Sequence, residues 1–431
     1  MAAPGPGPTR VLLLHYTSPP VVGGVETVLA AHACHLARQG FRVHVVTGRG
    51  GAPGAGVRYR RFPLLDSRHP RVRAVARELE AGGATRAFRA LVARIRAGLE
   101  QAVADIEVCI LHNVLTVHKN LALTAALHEM AARKSLPRTI AWCHDVAATR
   151  QHFDGLSRPA PVLMAGAPWN LLRTPLAGAT YVTVSRDRQR QLCQALGLSP
   201  AAVEVIPNGI DPEAFLRLSP IGRWIAETLR LWEQQIILLL PARVTRRKRI
   251  EYAIAVAAEI ARREMAVRLV VSGPPGAHNP RNGQYLTELQ ALRRRLGVEE
   301  QVAFCAELRG PTGRRPALSN RVMADLYRLA DAVLLPSTDE GFGLPLLEAG
   351  LARLPVFATD LRPLRALGQD ALHAFDLEDS PSHVAANIID TLMRDERFRL
   401  RRRILASHTW PGIVRERIVP LLTPTVAPAL P

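Results

Sequence analysis

The stretch ADAVLLPSTDEGFGLPLLEAGLA, residues 330–352, decides the fold of this 431-residue chain. Its apolar run from Ala332 to Leu335 predicts a buried strand, and the segment from Ser337 to Gly343 predicts a polar turn. Leu344 to Ala352 predicts a helix with Pro345 in its first turn, where the missing N–H costs nothing. This order of elements places free backbone N–H groups and the positive end of a helix at one point, which suits phosphate oxygens.

Two glutamates lie in this stretch. Glu340 belongs to the turn, and Glu348 is the only charged residue between Leu344 and Leu351. A carboxylate among apolar neighbours needs polar partners if it is buried, and sugar hydroxyls would serve. A simpler interpretation of Glu340 is a negative charge that stabilises the start of the helix.

Strand and helix signals alternate along the rest of the chain, with a pause from about Pro207 to Glu233. Two successive runs of βα units predict an α/β protein with two doubly wound, Rossmann-like domains, residues 9–207 and 208–408. A C-terminal helix at 409–422 is expected to return to the first domain. Because ligands in such folds bind beyond the carboxyl ends of the strands, we expect the two domains to face a central cleft that holds the site.

The formal net charge is +19, with 53 arginines and 3 lysines. This excess could attract anionic lipid headgroups, nucleotides or phosphorylated acceptors. Five arginines of the N-terminal half could hold a phosphate or carboxylate or could form an ordinary surface: Arg58, Arg60, Arg61, Arg68 and Arg71. Nucleic acid is not expected as a partner, because aromatic residues make up only 5% of the chain and no nucleic-acid motif is present.

The compartment can be inferred from the apolar segments. No apolar run approaches the ~18 residues of a membrane-spanning helix. Residues 1–8 lack the apolar core of a signal peptide and predict a disordered tail. A basic, amphipathic helix ending near Val103 either packs on a sheet or lies on a membrane surface. We therefore expect a cytoplasmic protein, with peripheral contact to the inner face of the membrane as an open alternative.

From about Arg10 to Leu422 the chain resembles the retaining, nucleotide-sugar-dependent glycosyltransferases of family 4, which have the GT-B fold. The strongest part of the resemblance is the stretch from residue 330 to residue 352. The family carries two glutamates separated by seven residues, as Glu340 and Glu348 are. Four further segments match in the expected order: Gly23-Gly24-Val25-Glu26, Val205-Ile206-Pro207-Asn208-Gly209-Ile210-Asp211, the basic pair Arg243 and Lys248, and the glycine turn after Val271.

The resemblance implies a role for each matching residue of the donor site. Arg243 and Lys248 would clamp the diphosphate of the donor, and Glu340 would contact the sugar hydroxyls. Glu348 would bind the ribose, and His144 would face the transferred sugar. The remaining donor contacts would come from backbone close to the ligand, at Gly23, Gly24, Gly273, Leu308, Gly341, Phe342, Gly343 and Leu344. The expected catalytic residues are Glu340, His144, Arg243 and Lys248.

Several of these residues have an ordinary structural interpretation as well. His144 could be a hydrogen-bonded core histidine. Asp145 could bind the acceptor or cap a helix. Ser185 and Asn208 could belong to the acceptor site or to the turn and helix cap that their sequence also favours. These alternatives stay open at the level of the sequence.

The resemblance implies an enzyme that transfers a hexosyl unit, mannosyl or glucosyl, from a nucleoside diphosphate sugar to a hydroxyl acceptor. We expect GDP-mannose ahead of UDP-glucose as the donor, and a sugar, a sugar acid or a lipid-linked molecule as the acceptor. No D-x-D motif lies in a suitable loop and no His/Cys cluster has metal spacing, so we expect no metal and no other cofactor. The alternatives are a nucleotide-sugar epimerase or hydrolase on the same fold, and a non-catalytic module that binds nucleotide sugars or membranes.

Overall fold

The computed structural model describes residues 9–146, 165–276, 281–310 and 313–423. It divides the chain into two compact units. The first unit comprises Met1–Ile210 together with His408–Pro431, and the second comprises Asp211–Ser407. The tail expected at residues 1–8 lies outside the described residues.

The first unit contains a seven-stranded sheet in the order β3-β2-β1-β4-β5-β6-β7, in which every neighbouring pair is parallel. Its strands are β1 (Arg10–Thr17), β2 (Arg42–Arg49), β3 (Val57–Arg61), β4 (Val108–His112), β5 (Arg138–Cys143), β6 (Ala179–Thr183) and β7 (Val203–Val205). Its described helices of ten or more residues are α1 (Gly24–Arg38), α2 (Pro70–Glu80), α3 (Arg86–Val103), α4 (Leu121–Ala132) and α5 (Arg186–Leu196), and two short helices, Trp410–Ile413 and Val419–Leu422, lie in its C-terminal segment.

Helices cover both faces of this sheet, because successive residues of each strand point to opposite sides. On β1, Leu12 and Leu14 pack into the core cluster that contains residues of α2, α3 and α4. Val11 and Leu13 pack into a second cluster, which contains residues of α1 and of the C-terminal segment from Trp410 to Leu422. The chain therefore returns to the first unit at its C-terminal end.

The second unit contains a six-stranded sheet in the order β10-β9-β8-β11-β12-β13, again with every pair parallel. Its strands are β8 (Ile236–Leu240), β9 (Val267–Val271), β10 (Val302–Phe304), β11 (Ala332–Leu335), β12 (Val356–Thr359) and β13 (Leu372–Phe375). Its helices are α6 (Pro212–Leu216), α7 (Pro220–Thr228), α8 (Ile250–Arg262), α9 (Arg281–Arg295), α10 (Asn320–Leu329), α11 (Leu344–Leu351), α12 (Arg362–Gly368), α13 (Pro381–Arg394) and α14 (Glu396–Ser407). The expectation of two doubly wound parallel sheets is confirmed.

Helix α3 shows how its amphipathic sequence is used. Phe88, Leu91, Ile95 and Leu99 are buried in the core of the first unit. The apolar face is thus covered by protein, and the arginines on the other side, among them Arg94, are exposed. The helix was expected either to pack on a sheet or to lie on a membrane surface. In the structure it packs on the core of its own unit.

Candidate functional site

The strand order places the candidate residues of the second unit at a topological switch point. The chain runs outward from β8 to β10 and then returns to β11, on the other side of β8. The loops that follow β8 and β11 therefore leave the sheet side by side and in opposite directions. Such a switch point forms the crevice in which open α/β sheets bind ligands. Arg243 and Lys248 follow β8, and Glu340 follows β11.

The loop after β8 carries two cations in different surroundings. Arg243 is exposed, and none of the residues that the structure describes pairs with its guanidinium. Lys248 lies in a single helical turn, Arg246–Lys248, and is buried. Arg246 instead bonds to Glu288 at 2.7 Å and stacks over Tyr285, so it belongs to an ordinary surface cluster. Arg243 is thus the cation of this loop that is free to meet a phosphate.

The loop after β11 is joined to the loop after β8 through Glu340. The carboxylate of Glu340 is 8% exposed and accepts hydrogen bonds from Lys248 Nζ and from Ser337 Oγ, the latter at 2.7 Å. Arg247 Nη1 lies 3.7 Å from its other oxygen. A backbone bond from Thr338 N to the Arg247 carbonyl, 2.8 Å long, joins the same loops. Glu340 is therefore a buried member of an ion-pair network, which the simpler interpretation of a helix-end charge does not describe.

Helix α11 begins directly after this loop. Its N-cap is Gly343, whose φ of +101° lies in the left-handed region. The backbone angle therefore favours glycine, and a Cβ at this position would approach Leu364 Cδ2 to 2.6 Å, so that the Leu364 side chain would have to shift. Phe342 is 54% exposed and Leu344 is 63% exposed, while Gly341 has open space beside its Cα. Exposed apolar side chains and free N–H groups at a helix start can hold the sugar and phosphate of a donor.

Glu348 lies on α11 with one carboxylate oxygen engaged. Tyr327 donates its hydroxyl hydrogen bond to Glu348 Oε2 at 2.6 Å, and burial raises the pKa of Tyr327 above its usual range, with this bond to Glu348 as a second cause. Within the part of the chain that the structure describes, Oε1 of Glu348 has no partner. An exposed carboxylate oriented through one oxygen is suited to accept hydrogen bonds from a diol.

Gly273 and Leu308 are placed by backbone contacts of their own. A Cβ on Gly273 would lie 2.3 Å from the Ala242 carbonyl oxygen, so glycine lets the end of β9 lie against the loop that carries Arg243. The Leu308 carbonyl accepts a hydrogen bond from Arg309 Nη1 at 3.1 Å, and its N–H donates to the Cys305 carbonyl. The Leu308 N–H is therefore engaged, while its carbonyl oxygen, which can accept a second hydrogen bond, remains able to contact a base.

The first unit has a switch point of the same kind, between β1 and β4. Gly23 is the N-cap of α1, and a Cβ there would lie 2.0 Å from Glu26 Oε2, whereas Gly24 has open space. Thr17 Oγ1 donates a hydrogen bond to Glu26, and His15 Nε2 lies 3.9 Å from the same carboxylate. Gly23 therefore makes room for a glutamate that turns back onto the end of β1.

Four histidines form a cluster beside this carboxylate: His15, His32, His112 and His144. His15 Nδ1 donates to the His112 carbonyl at 2.7 Å, and the His112 and His144 rings stack with their nitrogens 3.4 Å apart. Burial lowers the pKa of His15 and of His144 to about 4 and that of His32 to about 3, and it lowers the pKa of His112 as well. Neutral imidazoles can exchange hydrogen bonds with sugar hydroxyls but supply no positive charge for a phosphate.

Two of the remaining predicted residues of the first unit, Asp145 and Ser185, have structural partners. Asn113 accepts from the backbone N–H groups of His144 and Asp145 and donates to the Asp145 carboxylate at 3.2 Å. Ser185 caps α5 by accepting from Arg188 N at 3.2 Å. Asn208 is exposed in the turn after β7. Ser185 therefore acts as the helix cap that its sequence position also favoured.

Three residues at these sites were given no role from the sequence: Glu26, Asn113 and Tyr327. Each contacts a partner that is distant along the chain or lies within another helix. The sequence pattern alone therefore gives little indication of the contact. Glu26 offered one available signal, because it lies two residues after the glycine pair. No group of three His, Cys, Asp or Glu side chains among the described residues is arranged to hold a metal ion. Searching those same residues finds no helix both long and apolar enough to cross a membrane.

Comparison with known proteins places these loops in a family context. Residues 22–214 match the model described as Glycosyltransferase Family 4, and residues 225–406 match the model described as Glycosyl transferases group 1. An uncharacterised glycosyltransferase of Methanocaldococcus jannaschii is 26% identical over 55% of this chain and 58% of its own length. D-inositol 3-phosphate glycosyltransferase of Kribbella flavida is 31% identical over 48% of this chain and 45% of its own length. The aligned part thus spans about half the length of these relatives.

Solved structures with similar chains include Anabaena HepE in complex with UDP, at 18% identity and a TM-score of 0.34, with 96% of this chain and 99% of that chain covered. Sucrose-phosphate synthase of Thermosynechococcus elongatus has 15% identity and a TM-score of 0.38, with 96% and 98% covered. At these TM-scores the family assignment comes from the two family models alone.

Proposed function

The chain belongs to the family 4 glycosyltransferases, and we propose that it moves a hexosyl unit from a nucleoside diphosphate sugar to a hydroxyl acceptor with retention of anomeric configuration. The observation that carries the proposal is the joining of two loops at the switch point of the second sheet. Lys248 of one loop contacts Glu340 of the other. The first loop also carries Arg243, which has no ion-pair partner among the described residues, and the second leads into the start of α11. Cations and free N–H groups at one point suit a departing diphosphate.

In this proposal each residue of the donor loops has one task. Arg243 and the start of α11 stabilise the negative charge that develops on the leaving phosphate. Glu340 accepts hydrogen bonds from the sugar hydroxyls through the oxygen that Lys248 and Ser337 leave open. Glu348, oriented by Tyr327, accepts hydrogen bonds from the ribose diol.

The proposed reaction breaks the bond between the anomeric carbon and the phosphate oxygen and forms the bond to the acceptor oxygen on the same face. The leaving phosphate oxygen takes the acceptor proton, so the step balances without another base. Glu340 already binds Lys248, which makes it a weak nucleophile and supports front-face substitution over a covalent intermediate. His144, neutral above its lowered pKa, offers a hydrogen bond to the sugar.

A thermal-shift panel tests the proposal: UDP, GDP and ADP, followed by UDP-glucose and GDP-mannose. A ligand that binds only the folded state raises the melting temperature by mass action. We expect a shift with UDP or GDP, with GDP-mannose ahead of UDP-glucose among the sugars. Absence of a shift with every nucleotide would contradict the proposal.

Donor breakdown then separates transfer from the alternative reactions. Nucleoside diphosphate release that needs an acceptor supports a transferase, while equal release without acceptor identifies a hydrolase. D-inositol 3-phosphate belongs in the acceptor panel because relatives carry that name. Tight nucleotide binding with no turnover over the whole panel would identify a binding module.

A further inference from the structure

A cavity of about 780 Å³ lies in the first unit, between α2, the start of α4 and Trp169. Its lining combines two kinds of side chain. Four cations contribute to it: Arg68, Arg73, Arg77 and Lys119. Apolar residues form much of the remaining wall, among them Val72, Val75, Leu79 and Leu121. No residue of the donor loops described above lines this cavity.

The four cations are exposed, and none of the carboxylates that the structure describes neutralises them. No side-chain ion pair is formed by any of them within the described residues, and Glu80 is the one carboxylate of the described lining. Nearby arginines behave differently: Arg49 pairs with Asp66 at 2.9 Å and Arg96 with Glu129 at 3.1 Å.

Arg73 and Arg77 are also four residues apart on α2, where like charges face each other and destabilise the helix. A bound anion would relieve this repulsion, which gives a physical reason for placing both charges beside a cavity. Helix α4 starts at the cavity, and the positive end of its dipole adds to the positive potential of these arginines. Helix α4 has Asn120 as its N-cap and no acidic residue in its first turn, so its positive end is not compensated.

The apolar wall is well defined. Val72 and Leu79 are each 3% exposed, and they belong to the core of the first unit. Trp169 is buried at the same wall, and its indole Nε1 has no hydrogen-bond partner among the residues that the structure describes. A small inorganic anion would leave most of this volume and all of the apolar wall unused.

We propose that this cavity binds a lipid phosphate, with its phosphate against Arg73, Arg77 and Lys119 and its first methylene groups against the apolar wall. The inference rests on the proposed function, because the lipid would present the acceptor hydroxyl to the transferase. The cavity therefore specifies an anionic, amphiphilic acceptor in place of a free sugar.

Isothermal titration of the full chain with dihexanoyl phosphatidate, kept below its micelle concentration, tests the proposal. Glycerol 3-phosphate carries the phosphate without the chains, and octyl glucoside carries a chain without charge. We expect dihexanoyl phosphatidate to bind at least about tenfold more tightly than either, since burial of a few methylene groups adds to the charge-assisted bonds. Equal affinity for glycerol 3-phosphate or for octyl glucoside overturns the amphiphile assignment, as does the absence of binding.

The Arg73→Gln/Arg77→Gln variant should lose at least about tenfold in affinity for dihexanoyl phosphatidate, because two charge-assisted contacts are removed. The matched control is Arg399→Gln/Arg403→Gln, which removes two exposed arginines at the same spacing on α14. Equal loss in both variants would show a general charge effect and overturn the site. The nucleotide thermal shift separates the two proposals. A UDP or GDP shift without lipid binding contradicts only this inference, and lipid binding without any nucleotide shift contradicts only the proposed function.

Discussion

Glu340 and Lys248 are buried partners of one another, and this changes how each can be tested. Removing one member of a buried ion pair leaves the other charge unpaired, which costs about 3–5 kcal/mol. Lys248 is 8% exposed, so truncation of Glu340 would leave the Lys248 charge buried and without its partner. An alanine variant therefore mixes lost catalysis with lost stability.

We predict that Glu340→Ala lowers the unfolding free energy by about 3 kcal/mol, whereas Glu340→Gln lowers it by less because its amide oxygen still accepts from Lys248. Both variants should reduce transfer, since the glutamine oxygen is a weaker acceptor for sugar hydroxyls. Chemical denaturation and initial rates measure the two effects separately. Full activity of Glu340→Gln would remove Glu340 from the donor site.

Arg243 and Arg246 offer a matched pair within one loop. We predict that Arg243→Gln weakens binding of UDP or GDP by about tenfold or more, because a charge-assisted contact to phosphate is lost. Its melting temperature without ligand should change little, since the guanidinium is exposed and forms no ion pair among the described residues.

Arg246→Gln is the control, because Arg246 is engaged with Glu288 and Tyr285. Isothermal titration compares the two variants. The same loss of nucleotide affinity in both would mean that the loop acts through its total charge and that Arg243 has no particular contact.

At this scale the sequence predicted residue types better than residue partners. The spacing of Glu340 and Glu348 was readable along the chain. The contact of Glu340 with Lys248 joins residues 92 positions apart, and that of Tyr327 with Glu348 joins two helices. Both depend on packing that no local pattern contains. Residues such as Ser185 satisfied two patterns at once, and only the hydrogen bond to Arg188 identifies the cap.

Among the elements, the start of α11 depends on its glycine. We predict that Gly343→Ala lowers the unfolding free energy by about 1–3 kcal/mol, because φ is +101° and the added Cβ meets Leu364. Donor affinity should fall with it, since the N–H groups of the loop would shift.

Gly350→Ala is the control within the same helix. Gly350 has open space around it and lies in regular helix, so alanine should stabilise by about 0.5–1 kcal/mol. Thermal unfolding with and without UDP measures both variants. Opposite signs are expected, and a stable Gly343→Ala variant with normal UDP binding would contradict this account of the loop.

The histidine cluster spans β1, α1, β4 and the end of β5, and it predicts a pH dependence of stability. The pKa of His15 and of His144 is lowered to about 4 and that of His32 to about 3. Between about pH 6.5 and pH 4 the unfolded chain therefore binds more protons than the folded chain. Stability should be fully present above about pH 6.5 and fall as the pH drops, by up to about 1.4 kcal/mol per pH unit for each histidine.

Melting temperatures from pH 7.5 to 5 measure this dependence. His32→Gln removes one buried ionisable group and should flatten the slope, while His383→Gln, at an exposed position of α13, should leave it unchanged. An identical slope in all three proteins would show that the cluster does not control acid stability.

The order of the elements was predictable because buried parallel strands and amphipathic helices have distinct periods. The apolar run Ala332–Leu335 and the helix after it are examples, since the structure has β11 and α11 there. Helix α3 could be predicted as a helix, but the surroundings of its apolar face could not. The same apolar pattern occurs in helices that pack on a protein core and in helices that lie on a membrane.

For the molecule as a whole, each sheet places some of its candidate residues at the point where the strand order reverses. This property follows from topology and was only partly visible in the sequence, which shows where strands end but not which strands are neighbours. In the first unit, Glu26 and the histidine cluster lie near the strand pair β1 and β4. In the second unit, the cationic loop follows β8, which pairs with β11. The cavity beside α2 was less predictable, because its lining comes from segments distant along the chain.

The central claim is acceptor-dependent transfer from a nucleoside diphosphate sugar through the loops after β8 and β11. The most direct measurement is the release of nucleoside diphosphate from GDP-mannose and UDP-glucose, with and without an acceptor panel, by the wild type and by Glu340→Gln. We predict acceptor-dependent release by the wild type and a rate lower by about 10²-fold in Glu340→Gln, as expected for a lost electrostatic contact to the reacting sugar. Release that is independent of acceptor, or equal in the two proteins, would contradict the account.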